Sequence, residues 1–444
     1  MTAHRRPYRL LPFLGIALLT LGACQEDLSG GAACPTLCPG QQLEVHDTVL
    51  VGTELLDTTV IVNGMPPLGT ETQLLVARRG DAAGDSVVSG AVLRFDTLIR
   101  NFTRTDTTKP VVPIARVSAA SLQFTTTPDT TLIKDSVRFE VIDVDAPVAD
   151  LDTATIHQLF VTRAPIGAIT VSKDSLLKLQ TVPLDTAFIT HKIVTGGRVR
   201  LGVRLVGVHN TSAQVGIVPI TTPSTGPALR YVGYAAAPDT TDSTGTVVNY
   251  SVSVSSGGPE FKYLANYQLV LKGSPPAPPG LLPVGGLPAS RLYMRFNIPA
   301  ALIDSSTTIV RATLILHQRG DSTFPGVDSV SLTPRVVIAS PLVTDISKAA
   351  LLIADPTLVA LQSVKVNPLE TRADTIPLVS RTASLVALWR TERAVNMQRA
   401  LVLQSSLEGR EPRRFLIYSN AALPDSLRPR LLLTYIPRSG FGLP

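Results

Sequence analysis

The chain has 444 residues, of which 44% are hydrophobic and 17% are charged, and its formal net charge is +6. Soluble domains typically carry about 25% charged residues, and a charge this small and scattered excludes an extended nucleic-acid-binding surface. Threonine, valine, leucine and proline take the place of the missing charged residues. That composition is typical of an all-β extracellular protein.

The amino terminus has the charged, apolar and small-residue order of a secretory signal. Arg5, Arg6 and Arg9 precede an almost wholly apolar run, 10–21. The run is shorter than the roughly 20 residues that a membrane-spanning helix needs. We therefore expect a cleaved signal rather than a permanent anchor. Without these three of the 40 basic residues, the 34 acidic residues leave a net charge of +3.

The segment Leu21-Gly22-Ala23-Cys24 resembles the lipobox of bacterial lipoproteins. The resemblance implies that residues 1–23 are removed as a signal peptide and that Cys24 carries diacylglycerol on its thiol. Each buried methylene contributes about 0.8 kcal/mol, so several acyl chains give stable anchoring. By the sorting rules of such lipoproteins, Gln25 implies the outer membrane of a Gram-negative bacterium. An ordinary signal with a coincidental cysteine is the alternative.

A short segment rich in Gly and Pro, 24–45, is predicted to be the lipidated tether. It holds the other two cysteines, Cys34 and Cys38. We expect them to form a small disulfide loop in the cell envelope, with free thiols as the alternative. A structural zinc site needs four ligands, and neither a histidine nor a second cysteine pair is near. No metal and no cofactor are expected.

Many short segments of alternating apolar and polar residues follow the tether. In "RVRLGVRLVGV" (198–208), Val199, Leu201 and Val203 point one way and the arginines the other. Such half-buried strands at short intervals predict a sandwich or barrel. Helical spacing is rare. It occurs after Asp345, which is placed to cap a short helix, and in "TASLVALWR" (382–390).

The mature chain contains a degenerate internal repeat. Four pairs of segments occur in the same order: 91–98 with 292–299, 115–124 with 308–317, 135–137 with 328–330, and 226–234 with 428–435. The first pair aligns Arg94-Phe95 with Arg295-Phe296. We therefore predict two tandem domains, 46–236 and 246–438, joined by a linker, 237–245, and followed by a short tail, 439–444.

The second half resembles the DNRLRE domain, a disaggregatase-related module. The resemblance covers roughly 265–437 and is carried by "RLYMRFNIPAALIDSSTTIVRATLILH", "RALVLQSS" and "RFLIYSNAALPDSLRPRLLLTY". Thr382, Leu385, Val386 and Trp389 match its T-x-x-L-V-x-x-W segment. The first half follows the plan more loosely, because "KLQTVPLDTAFITH" stands in place of the tryptophan segment. The family implies an all-β fold of two tandem jelly-roll-like antiparallel β-sandwich domains, with a few short helices.

The family occurs on secreted and surface proteins, and some members resemble carbohydrate-binding modules. A sugar platform needs exposed aromatic faces, and aromatic residues are only 5% of this chain. Its single tryptophan, Trp389, lies on an apolar helical stripe beside Leu385 and Val386. We therefore expect Trp389 in the core rather than in a sugar site.

The sequence shows no motif of a catalytic site. The six histidines have no paired metal-ligand spacing, and there is no G-x-S-x-G elbow. One carboxylate cluster consists of Asp143, Asp145, Asp150 and Asp152. These oxygens suit a hard cation such as calcium, but the cluster lacks the Gly and Glu of an EF-hand loop. A solvated loop is therefore the preferred interpretation.

These observations favour a non-catalytic, lipid-anchored envelope or surface protein whose sandwiches bind polysaccharide or serve a structural role. The first alternative is a scaffold or adhesin that binds another envelope protein through a sheet edge. The second is a hydrolase whose site is assembled from distant loops. The expected partners are the membrane, through lipid at Cys24, and a polysaccharide or envelope protein, but no nucleic acid.

The lipobox yields a direct test. The Cys24→Ala variant should no longer incorporate a fatty-acid analogue during metabolic labelling, because the acylated thiol is gone, and the protein should be released or mislocalised. Cys34→Ala is the matched control and should label as the wild type does. Equal labelling of Cys24→Ala and wild type would contradict the lipoprotein hypothesis.

Overall fold

The computed structural model describes fourteen stretches of the chain. They are residues 45–80, 86–103, 111–133, 135–148, 152–207, 212–219, 226–235, 247–253, 264–303, 307–322, 329–354, 360–378, 385–389 and 397–437. The predicted lipidation site Cys24, the pair Cys34 and Cys38, the linker 237–245 and Asp150 lie outside these residues.

The described chain is mostly β-strand, and its strands form two antiparallel β-sandwiches. The first sandwich contains β3 (Leu74–Gly80), β4 (Ser86–Phe95), β5 (Asn101–Thr103), β6 (Val111–Leu132), β7 (Ser136–Asp143), β8 (Pro165–Ser172), β9 (Leu179–Pro183), β10 (Val199–Gly207), β11 (Ala213–Ile217), β12 (Ala228–Ala235), β13 (Val247–Ser253) and β14 (Asn266–Lys272). The all-β fold predicted from the sequence is confirmed.

The second sandwich draws on both ends of the described chain. It contains β1 (His46–Val51), β2 (Leu56–Asn63), β15 (Leu281–Gly285), β16 (Ser290–Phe296), β17 (Thr307–Arg319), β18 (Val330–Val336), β19 (Val364–Val366), β20 (Arg372–Pro377), β21 (Ala400–Ser405), β22 (Arg414–Tyr418) and β23 (Arg430–Pro437). From His46 onward the chain forms one compact unit.

The two sandwiches share one strand order. It runs β13-β12-β6-β11-β3-β4-β10-β7-β8 in the first and β1-β23-β17-β22-β15-β16-β21-β18-β19 in the second. The side branches also correspond, since β14 pairs with β4 where β2 pairs with β16, and β9 pairs with β6 where β20 pairs with β17. The internal repeat read from the sequence is therefore a repeat of topology.

The repeats exchange their first two strands. Strands β1 and β2 begin the first sequence repeat, yet they pair with β23 and β16 of the second sandwich. Strands β13 and β14 begin the second repeat, yet they pair with β12 and β4 of the first. The predicted ranges 46–236 and 246–438 thus delimit the sequence repeats but not the folded sandwiches. Related repeats present similar edges, so alternation alone does not fix which edge a strand joins.

Each sandwich has its own apolar core. In the first, Phe124 and Phe139 meet edge to face with ring centroids 5.2 Å apart. In the second, Phe296 and Trp389 lie 5.4 Å apart, and Trp389 is only 1% exposed. Trp389 is therefore a core residue, as its apolar helical stripe predicts, and it offers no face to a sugar.

In the described part of the chain, five short α-helices pack on the sheets: α1 (Thr153–Thr162), α2 (Thr186–Thr195), α3 (Ala300–Ile303), α4 (Ile346–Ala349) and α5 (Leu385–Leu388). Asp345 caps α4 by accepting from the Ser347 amide, which confirms its predicted role. Helix α5 lies in the predicted "TASLVALWR" segment, and α2 occupies the corresponding place in the first repeat. None of the described helices is long and apolar enough to span a membrane.

The strand exchange predicts how the protein responds to a cut in the predicted linker. We expect a chain that begins at Gln25, cleaved at a protease site inserted within 237–245, to elute as one species in native size-exclusion chromatography. The amino-terminal fragment supplies β1 and β2 to the second sandwich, and the carboxy-terminal fragment supplies β13 and β14 to the first. The fragments should separate only in denaturant.

The same protease site inserted within 439–444 is the matched control, and its cleavage should release only a short peptide. Separate elution of the two large fragments without denaturant would contradict the exchanged pairing.

Candidate functional site

The structure gives separate roles to the aspartates of the sequence cluster. Asp143 receives a hydrogen bond of 2.7 Å from the Arg163 guanidinium. Asp145 lies 2.8 Å from both Lys192 Nζ and Arg198 Nε. Asp152 caps helix α1 by accepting from the backbone amide and hydroxyl of Thr155.

These contacts leave the cation hypothesis without support among the described aspartates. Burial raises the pKa of the Asp145 carboxyl, but the hydrogen bonds and charges of Lys192 and Arg198 outweigh burial and hold that pKa below its usual value. Within the described stretches, no group of three or more His, Cys, Asp or Glu side chains is arranged to hold a metal ion. Asp143 and Asp145 instead tie the strand β7 region to the loops and helices that surround it.

A different polar site lies where the chain crosses from the second sandwich to the first. The crossing segment, 64–73, joins β2 to β3. Its central acid, Glu71, is 6% exposed and accepts hydrogen bonds from the amides of Gly69 at 2.7 Å and Gln268 at 3.2 Å. Because Gln268 lies on the exchanged strand β14, Glu71 fixes the crossing segment to the first sandwich.

The second sandwich contributes an ion pair to the same site. Arg291, on β16, holds Glu408 with three contacts of 2.8–3.1 Å between guanidinium nitrogens and carboxylate oxygens. A side chain at position 64 would meet this pair, because a Cβ there would lie 2.9 Å from Arg291 Cγ and 3.1 Å from Glu408 Oε1. Gly64 is thus required by the close approach of the crossing segment.

These groups surround a pocket of about 250 Å³, which we call the seam pocket. Its lining is Gly64, Pro66, Thr70, Glu71, Thr72, Gln73, Arg291, Gln404, Ser405, Ser406, Glu408, Gly409 and Arg410. The lining comes from the crossing segment, β16, β21 and the turn that follows β21. It is dominated by hydrogen-bonding groups and contains neither a histidine nor an aromatic side chain.

Burial controls the ionisation of both acids of the seam pocket. Desolvation raises the pKa of Glu71, although hydrogen bonds from its own backbone amide and those of Gln268 and Gly69 oppose the shift. Desolvation likewise raises the pKa of Glu408 against the hydrogen bond and charge of Arg291. Both acids therefore hold a proton more readily than exposed glutamates do.

Polar contacts continue from the pocket along the seam between the sandwiches. An Arg410 guanidinium nitrogen donates to the Thr72 hydroxyl, and Arg79 lies 3.8 Å from Glu411. Arg79 is 3% exposed, and burial lowers its pKa while the Glu411 charge opposes that change. The seam pocket is therefore held by ion pairs and hydrogen bonds on both sides.

Sequence reasoning missed the seam pocket. Glu71, Arg291 and Glu408 are separated by more than 100 residues in each step and belong to no motif. The only local signal is Gly64 at the end of an apolar strand, which indicates a turn or a close backbone approach. The aspartates that the sequence did single out lie in the first sandwich and do not line this pocket.

No family model matches the chain, and no curated protein matches its sequence.

The ion pairs of Asp145 predict a pH-dependent contribution to stability. Because the folded pKa is lowered, the contribution is present above the unfolded value of 3.8 and is lost as the pH falls through the folded value. Asp145→Asn should lower the free energy of unfolding by roughly 3 kcal/mol near neutral pH. The difference from wild type should shrink in strong acid, as measured by urea denaturation.

Asp143→Asn is the matched control, because its partner Arg163 has a side chain that is 39% exposed. Its effect should be only about 0–1 kcal/mol. A larger effect for Asp143→Asn than for Asp145→Asn, or a calcium-dependent rise of the wild-type melting temperature, would contradict this account.

Proposed function

We propose that the protein is a lipid-anchored envelope protein that binds a polysaccharide of the cell surface in the seam pocket and performs no chemistry on it. Its body is a pair of jelly-roll-like sandwiches of the DNRLRE type, held to the outer membrane through lipid at Cys24. The observation that carries the binding role is the density of fixed hydrogen-bonding groups around one pocket.

The polar groups of the seam pocket suit the hydroxyl groups of a sugar. A sugar hydroxyl both donates and accepts, so it pairs with amides, carboxylates and guanidinium groups alike. Gln404 supplies an amide, Ser405 and Ser406 supply hydroxyls, and Glu408 keeps acceptor capacity beyond its contacts with Arg291. These groups are mounted on or beside strands β16 and β21, which limits the ordering that binding requires.

The same contacts argue against a catalytic role for the two acids. Both carboxylate oxygens of Glu71 already accept backbone amides, and Glu408 is clamped by Arg291. A general acid or nucleophile must approach the scissile bond directly. A raised carboxyl pKa is also a property of general acids. The test below therefore includes hydrolysis as an outcome.

Gln404→Ala tests the binding role with little risk to the fold. A chain that begins at Gln25 is first used on a glycan array to find a binding polysaccharide, and its affinity is then measured by calorimetry. Loss of the amide should weaken binding about three- to tenfold, the value of one or two hydrogen bonds. Gln362→Ala changes an exposed glutamine elsewhere in the same sandwich and should leave the affinity unchanged.

Equal affinities for Gln404→Ala and wild type would contradict binding in the seam pocket. Release of new reducing ends from the bound polysaccharide, abolished by Glu408→Gln, would replace the binding role with hydrolysis.

A scaffold role is the second candidate, and it is favoured by the first described strand. Among the described strands, β1 lies at the end of its sheet order and pairs with β23 alone. Val45 and Val49 are 57% and 49% exposed beside this edge. An edge of this kind is a template for a strand of another envelope protein. Crosslinking from position 49 to an envelope protein, in a chain that binds no glycan, would favour this candidate.

A further inference from the structure

A second cleft lies on the outer face of the first sandwich. It has a volume of about 440 Å³ and is bounded by helix α1 and the exchanged strand β14, with β3, β4, β7 and β10 contributing the rest. We call it the helix cleft. Its lining includes Arg78, Glu140, Val161, Arg204, Leu271 and Lys272. The volume falls in the range of about 300–1,000 Å³ that is typical of small-molecule sites.

The strand register places two basic residues, Arg78 and Lys272, on either side of the apolar residue Val88. Val88 on β4 is registered against Arg78 on β3 and against Lys272 on β14. Neighbouring strands lie about 4.8 Å apart, and directly opposed residues share a face. The register of β14 shifts between Val270 and Lys272. A register shift of this kind changes the direction of side chains. As a result, the consecutive residues Leu271 and Lys272 both line the cleft.

Two glycines allow helix α1 to pack closely on the sheet through the buried Phe160 ring. A Cβ at Gly90 would lie 3.0 Å from the Phe160 ring, and a Cβ at Gly202 would lie 2.5 Å from it. The Phe160 ring therefore packs on the backbone of β4 and β10 at two positions that have no side chain. Helix α1 is also tied to β14, because His157 Nε2 lies 2.7 Å from the Leu271 carbonyl oxygen. The two walls of the helix cleft are thus held apart at a fixed distance.

The charges in the helix cleft are unequally satisfied. The Arg204 guanidinium binds one Glu140 oxygen at 2.9–3.0 Å and the Phe160 carbonyl at 2.7 Å. Arg138 also contacts Glu140. For Arg78, which is exposed, the structure records no ion pair or side-chain hydrogen bond among the described residues. The Arg78 guanidinium is therefore available to an anion.

The helix cleft and the seam pocket occupy corresponding places in the two repeats. The alignment of Arg94-Phe95 with Arg295-Phe296 superimposes β4 on β16. By strand register, Arg204 and Val206 on β10 then correspond to Gln404 on β21 and Ser406 directly after it. The end of β14 likewise corresponds to the end of β2. The fold thus builds a concavity twice at the same place, with a polar lining in one copy and a basic and apolar lining in the other.

We propose that the helix cleft binds an anionic amphiphile, an aliphatic chain that carries one carboxylate or phosphate head group. The head group lies against Arg78 and Lys272, and the chain lies along Val88, Val161 and Leu271. This site is separate from the seam pocket and does not depend on saccharide binding there.

The lining distinguishes this ligand from a neutral sugar. Aliphatic carbon from Val88, Val161 and Leu271 covers much of the cleft, and Val161 is 61% exposed. Burying such carbon against an aliphatic chain contributes about 25 cal/mol per Å². A sugar would leave most of its hydroxyl groups there without partners, whereas a single anionic head meets the cations at one end.

Binding of decanoate, decyl phosphate and decanol to the chain that begins at Gln25 tests the proposal. Each probe is kept below the concentration at which it forms micelles, and affinity is measured by calorimetry. Both anions should bind more tightly than decanol, and their relative affinities show whether a carboxylate or a phosphate head fits better. Arg78→Gln should weaken both anions about tenfold, the value of one charge-assisted hydrogen bond, and leave decanol unchanged.

Arg311→Gln is the matched control, because Arg311 is an exposed arginine on a strand of the second sandwich. It should bind all three probes as wild type does. A Val161→Asp variant, which places a negative charge on an exposed position of the cleft wall, should weaken both anions without lowering the melting temperature. Equal binding of decanoate and decanol, equal effects of Arg78→Gln and Arg311→Gln, or no binding of either anion would each overturn the proposal.

Discussion

One buried carboxylate joins distant parts of the chain where the two sandwiches meet. Glu71 accepts the amide of Gln268 across 197 residues of sequence, and Gln268 in turn accepts the Leu75 amide at 2.8 Å. These bonds hold the crossing segment against β14 at the point where the chain leaves one sandwich for the other. An unpaired carboxylate buried there would cost several kcal/mol, so Glu71 depends on the exchanged path that brings the Gln268 amide to it.

The seam between the sandwiches combines polar and apolar contacts. Near Glu71 the crossing segment brings backbone amides that need partners, and Arg79, Glu411 and Arg410 meet in the same region. Close by, Leu287 of the second sandwich packs with Leu75 and Val87 of the first. Apolar contact supplies much of the adhesion, and the polar groups fix the register of the two bodies. Each sandwich is thus completed by strands whose sequence belongs to the other repeat.

The sequence predicts the strands well and their partners poorly. The alternation in 198–208 identified Val199, Leu201 and Val203 as core, and all three are buried. The same alternation placed Arg200 on the opposite, polar face, yet Arg200 is fully buried because helix α1 and its flanking loop cover that face. Alternation with a period of two shows which face of a strand a residue occupies, but it does not show whether another element covers that face. A helix packed on the sheet buries residues that the alternation alone would leave exposed.

The same limit explains why the functional candidates were not visible. Both concavities form where chain of one repeat meets strands of the other, the crossing segment beside β16 and β14 beside β4. No spacing within a single repeat brings their residues together, whereas a sequence cluster such as Asp143 and Asp145 is dispersed into ion pairs. The exchange places Gly64 beside Arg291 in one sandwich and Lys272 beside Val88 in the other. A repeated fold in which each copy completes its neighbour's concavity can change the lining of one without altering the strands that build the other. That independence accounts for two corresponding clefts of different chemistry in a single chain.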